Sequence, residues 1–95
     1  MDGKIKVMIA DDQVILAEGI RSVLETDPGI EVTGLAFDGF DTLSKMEENT
    51  PDVVLMDIRM PNMNGVVATQ SIKAKYPDVK VIILTTFDDS DYILS

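Results

Sequence analysis

Four short apolar runs recur along the chain, and each of the first three is followed by a stretch whose apolar residues fall at helical spacing. The runs are Lys4-Ile5-Lys6-Val7-Met8-Ile9-Ala10, Ile30-Glu31-Val32-Thr33-Gly34-Leu35-Ala36, Val53-Val54-Leu55-Met56 and Val79-Lys80-Val81-Ile82-Ile83-Leu84. Short runs rich in Val, Ile and Leu predict strands. The second alternates, as a strand does when one face is less buried. The third is apolar throughout, as a strand covered on both faces should be. Between the first two, Gln13 to Thr26 sets Leu16, Ile20, Val23 and Leu24 at helical spacing, and Asp27-Pro28-Gly29 stops that helix. Phe40, Leu43 and Met46 mark a short second helix closed by Asn49-Thr50-Pro51. Ala68, Ile72 and Tyr76 share one face of a third, ended by Pro77-Asp78. Asp88-Asp89-Ser90 offers a cap for a fourth, which the chain only begins before Ser95. An order of β-α-β-α-β-α-β with a partial last helix predicts a mainly parallel α/β sheet, with helices on both faces and right-handed crossovers. One domain accounts for residues 1–95.

Composition narrows the chemistry. Apolar residues make up 45% of the chain and charged ones 26%, which suits a globular domain. With 5% aromatic residues and no Trp, the core rests on Val, Ile, Leu and Met. The absence of Cys excludes thiol catalysis and disulfide scaffolds. The absence of His excludes a His base, a His phosphoacceptor and a His-ligated metal within this chain. Seventeen acidic residues against 8 basic ones leave a net charge of −9, which repels phosphate backbones. No apolar run approaches the ~18–20 residues of a membrane span, and Met1 opens no signal-peptide pattern. The expectation is a cytoplasmic protein with no membrane partner.

Three of the runs end in polar groups: Asp11-Asp12, Asp57 and Thr85-Thr86. Open α/β sheets bind ligands at the carboxyl ends of their strands, where strand order reverses. Under the order 2-1-3-4-5 known for one class of such sheets, Asp11, Asp12 and Asp57 converge and Thr85 lies alongside. Two unit charges about 5 Å apart repel by roughly 3 kcal/mol at an effective dielectric near 20. Either a carboxylate protonates or a hard cation enters. With oxygen donors only, Mg²⁺ is the natural ion. Each position also has a plainer use. Asp11 or Asp12 suits a solvated turn or a cap for the helix beginning near Gln13. Thr85 and Thr86 are β-branched and suit a strand, and Pro61 and Gly65 suit turns. The joint placement carries the signal.

Asp11-Asp12-Gln13, the segment Asp57-Ile58-Arg59-Met60-Pro61-Asn62-Met63-Asn64-Gly65, and Thr85-Thr86-Phe87 together resemble the receiver domains of two-component response regulators. The likeness runs over essentially the whole chain. With Gly34-Leu35-Ala36-Phe37-Asp38-Gly39 added, it is most similar to the NarL/FixJ subgroup, which carries a LuxR-type helix-turn-helix. The resemblance implies a flavodoxin-like sheet of order 2-1-3-4(-5), here stopping after strand four and the start of helix four. It implies that Asp57 attacks a phosphohistidine on a sensor histidine kinase and becomes an aspartyl phosphate. The chain is then a phosphoacceptor, not a turnover enzyme. Asp11, Asp12, Asp57 and the backbone carbonyl of Arg59 would hold Mg²⁺, with the Arg59 side chain leaning over the pocket to alter dephosphorylation. Thr85 would hydrogen-bond a phosphoryl oxygen and, by moving, shift the surface of strand four and helix four.

Family members continue into a fifth strand bearing a Lys, then a fifth helix. Phe87 to Ser95 supplies no basic residue, and Tyr92 does not replace the switch aromatic of that strand. The expectation is therefore an amino-terminal piece of a transcription regulator whose DNA-binding domain lies downstream and makes the DNA contact. Phosphotransfer by the piece itself should be impaired. It should associate as a homodimer or through the strand-four edge, where Val79, Val81, Ile82, Ile83 and Leu84 are each worth ~1.5–3 kcal/mol when fully buried. The rival is an unphosphorylated, receiver-like dimerisation or docking module, indifferent to Mg²⁺. A phosphohydrolase of the haloacid dehalogenase type wants a second acid where Arg59 stands. Flavin binding fails because the acid pair after strand one repels phosphate.

Overall fold

The computed structural model describes residues 3–84. Strands and helices alternate: β1 (Ile5–Ala10), α1 (Val14–Leu24), β2 (Ile30–Ala36), α2 (Gly39–Glu48), β3 (Val53–Asp57), α3 (Gly65–Lys75) and β4 (Lys80–Leu84). The strands form one parallel sheet in the order β2-β1-β3-β4, the predicted receiver-type arrangement over the described residues. Thr85-Thr86, the expected start of a fourth helix and Tyr92 lie outside them.

Side chains alternate across the strands and so build two cores. Met8, Ala10, Val54 and Met56 face Met46 of α2 and Ala68 and Ile72 of α3. Val7 and Ile9 face Ala17 of α1, with Ile20, Leu24 and Leu55 packed against them. Full burial of each Val, Ile, Leu or Met among them contributes about 1.5–3 kcal/mol. Asp52 ties three strand starts together. Its N–H donates to the Lys6 carbonyl (2.8 Å), its carboxylate accepts from the Lys6 N–H (2.8 Å), and its carbonyl accepts from the Lys80 N–H (3.0 Å). The β1–β2 register slips once: Val7 pairs with Val32, but Met8 pairs with Gly34. At the slip, the Thr33 hydroxyl donates to the Val7 carbonyl (3.4 Å).

Two local expectations are corrected. Of the four apolar residues expected to define α1's inner face, only Ile20 and Leu24 pack inward, while Leu16 and Val23 are exposed. The small Ala17 makes the close approach to the strands, and α1 is apolar on more of its circumference than the sheet covers. Phe40, Leu43 and Met46 all fall within α2 as expected; Phe40 is exposed at its start, and Thr42 is buried. Neither Asp11 nor Asp12 caps α1, whose N-cap is Gln13 without a side-chain bond. The other two helices do carry side-chain caps: Asp38 accepts from the Asp41 N–H (2.7 Å), and Asn64 from the Val67 N–H (3.0 Å). On β4, which with β2 forms the two edges of the sheet among the described residues, Ile82 and Ile83 are exposed.

Candidate metal and phosphoacceptor site

The acids stand where the two central strands leave the core. Asp11 follows β1, and its N–H donates to the carbonyl of Ala36 at the end of β2 (2.9 Å). Its side chain is buried, and one oxygen accepts from the Gln13 N–H (2.8 Å), which fixes the carboxylate before α1 begins. Asp12 is exposed at the rim. Asp57 is the last residue of β3 and is buried, with the Arg59 N–H donating to its Oδ1 (3.4 Å). One carboxylate oxygen from each of Asp11, Asp12 and Asp57 lies within 4.8 Å of the others. The predicted convergence is therefore present. Arg59 is exposed next to it, and Thr85 lies outside the described residues.

Packing three carboxylates so closely costs roughly 3 kcal/mol per pair at an effective dielectric near 20. Two of the three are withdrawn from solvent, which weakens screening. The donor set is oxygen only, the chemistry a hard divalent cation prefers. The residues thus fit Mg²⁺.

Beyond the acids, the loop from β3 to α3 is shaped by contacts to which the sequence alone gave no role. The Gly65 N–H donates to the Ile58 carbonyl (2.9 Å), and any Cβ at Gly65 would overlap the Asp57 carbonyl. Asn62 donates from Nδ2 to Asp38 Oδ2 (2.7 Å), and the Gly39 N–H donates to the Met63 carbonyl (2.9 Å). The one available sequence signal is Asp38 three residues before Asp41 at the head of a helical pattern, which marks an N-cap. The Asp41 N–H, with the Asn62 amide next, holds the Asp38 carboxyl below its ordinary value of 3.8. A depressed folded-state value means that this stabilisation is fully present above the ordinary value and fades as pH falls through the folded one. Asp38→Asn should therefore lose less stability than the unsubstituted chain between about pH 5 and pH 2, measured by urea midpoints at stepped pH.

The sequence profile of the response regulator receiver domain matches residues 7–95. The chain belongs to the response regulator receiver family. This receiver is 41% identical over 92 residues to the transcriptional regulatory protein DegU of Brevibacillus brevis, covering 97% of the chain and 39% of that protein. It is 47% identical over 89 residues to the transcriptional regulatory protein LnrK of Bacillus subtilis, covering 94% and 40%. A solved two-component response regulator of the LuxR family from Aurantimonas superposes with a TM-score of 0.84 at 32% identity, over 96% of the receiver and 65% of that chain. The receiver spans about two fifths of the length of these curated relatives. Receivers are not a catalytic enzyme family. Among the described residues, no helix is long and apolar enough to cross a membrane.

Proposed function

We propose that the chain accepts a phosphoryl group on Asp57 from the phosphohistidine of a sensor kinase, with Mg²⁺ held by Asp11, Asp12, Asp57 and the backbone carbonyl of Arg59. The single observation that carries this reading is the meeting of three carboxylates within 4.8 Å, two of them buried, at the carboxyl ends of β1 and β3. A carboxylate oxygen of Asp57 attacks phosphorus. The O–P bond forms as the P–N bond to the donor imidazole breaks, and the departing nitrogen keeps the electron pair and takes a proton from solvent. The Gln13 N–H orients Asp11, and the Arg59 N–H orients Asp57 before the donor arrives. When bound, Mg²⁺ supplies positive charge against the acids and the phosphoryl oxygens. Thr85, assigned from its motif, hydrogen-bonds the transferred group.

The reading extends to a longer protein. A DNA-binding domain following the receiver would make it a cytoplasmic transcription regulator, switched by the state of Asp57. The test is direct. Incubation with Mg²⁺ and a small acyl phosphate should add the mass of one phosphoryl group, releasable by hydroxylamine and absent when Mg²⁺ is chelated. The adduct should form slowly, because Phe87 to Ser95 supplies no Lys to contact the phosphoryl group. An adduct that forms equally without the metal, or none at all even in a longer chain that includes the family's Lys-bearing strand, defeats the reading and favours a docking module.

A further inference from the structure

The loop between β3 and α3 is tied at its base and again at its tip. At the base, Gly65 bonds back to Ile58. At the tip, Asn62 adopts a left-handed backbone with φ 65° and reaches Asp38. Asp38 uses its two oxygens separately: Oδ1 caps α2 through the Asp41 N–H, and Oδ2 receives the Asn62 amide. Gly39 sits so close to Met63 that a Cβ there would lie 2.7 Å from the Met63 carbonyl oxygen. One carboxylate thus starts a helix and holds a loop that emerges from a different strand. That loop contains Arg59, whose N–H points at Asp57.

We propose that Asp38 and Asn62 form a latch that positions residues 58–64 against the acid site and so sets its affinity for a divalent cation. The proposal rests on the reading of Asp11, Asp12 and Asp57 as a cation site. Neither latch residue belongs to the acid cluster, so both are positioning residues. Without the side-chain bond, the loop keeps its base tie at Gly65 and the Gly39–Met63 backbone bond, but residues 59–62 lose their link to α2, and ion binding must then order the main chain around Arg59. Losing the order supplied by one hydrogen bond corresponds to about a fivefold weaker affinity.

Two substitutions break the bond while sparing the backbone. Asn62→Gly removes the amide donor and keeps the left-handed conformation accessible. Asp38→Ser keeps a helix cap, but its hydroxyl is one bond shorter than the carboxylate and, turned to the Asp41 N–H, no longer reaches Asn62. Each should weaken Mg²⁺ binding about fivefold in calorimetric titration of the whole chain. The double variant should also lose about fivefold, not the product of the two losses, because one bond is removed either way. Asp38→Asn should stay within about twofold of the unsubstituted chain, since its amide can donate to the Asn62 carbonyl after that side chain flips. In ion-free buffer, amide exchange at Arg59 should quicken in both latch-breaking variants and not in Asp38→Asn.

Asp57→Asn separates this proposal from the one beneath it. If the unsubstituted chain binds Mg²⁺ and Asp57→Asn does not, yet both latch-breaking variants bind normally, the latch is wrong and the site stands. Multiplying losses in the double variant, or a loss of binding in Asp38→Asn well beyond twofold, also overturn the latch. If Asp57→Asn leaves binding unchanged, or the unsubstituted chain binds no Mg²⁺, the site reading falls and the latch falls with it.

Discussion

Asp57→Asn should abolish the hydroxylamine-labile phosphoryl adduct, lowering its rate of formation by at least ~10³-fold, because the amide oxygen is a poor nucleophile toward phosphorus. The same substitution should act on stability with opposite signs in two buffers. Without divalent ions, it deletes two of the three carboxylate repulsions, each roughly 3 kcal/mol before relaxation and screening. The thermal midpoint should therefore rise. With saturating Mg²⁺ the unsubstituted chain gains binding free energy that the variant largely forgoes, and the advantage should shrink or reverse. Paired calorimetric melts, with chelator and with Mg²⁺, measure both. An ion-free midpoint that falls would show that the acids are held by compensating contacts strong enough to outweigh their repulsion.

Gly65→Ala carries the other large effect. The added methyl would overlap the Asp57 carbonyl oxygen and lie 2.9 Å from both the Asp57 carbonyl carbon and the Ile58 Cα. All three are backbone atoms, so no side-chain rotation relieves the contact. Either α3 moves off the sheet or the end of β3 bends, and the expected loss is at least ~3 kcal/mol, with Mg²⁺ binding weakened as well. Gly19→Ala gives the contrast. A Cβ there meets nothing within 4 Å, and the position lies inside α1. A gain of ~0.5–1 kcal/mol is expected from helix propensity. Urea unfolding of the two variants beside the unsubstituted chain checks both signs.

What could be read from the sequence depended on whether the cause was local. Strand positions were legible because each is a short run rich in Val, Ile and Leu bounded by polar or turn residues, and the span Ile30–Ala36 coincides with β2. The acid site was legible for a related reason: each acid stands where an apolar run breaks, and parallel topology brings those breaks to one end of the sheet. The inner face of α1 was less so. Helical spacing identifies apolar positions but cannot say which side the sheet will cover, and Ala17 was too small to stand out against Leu16 and Val23. The cap expected from Asp11 or Asp12 failed because Asp11 already spends an oxygen on Gln13, one step before the helix. Gly65 could be read as a turn former, but the overlap that demands it involves the backbone of another element. Asp38 and Asn62 are 24 positions apart, and no periodicity connects them.

The slip between β1 and β2 has a consequence at the far end of the sheet. Because β2 passes over one residue after Val32, Ala36 finishes level with Ala10; an unbroken ladder would set it level with Asp11. One step along a strand is about 3.3 Å, so straightening the pair would lift the exit of β2, with Asp38 behind it, by about two thirds of the 4.8 Å span of the acid cluster. The irregularity acts as a shim: a single surplus residue, inserted in mid-strand, sets the height at which the two loops meet.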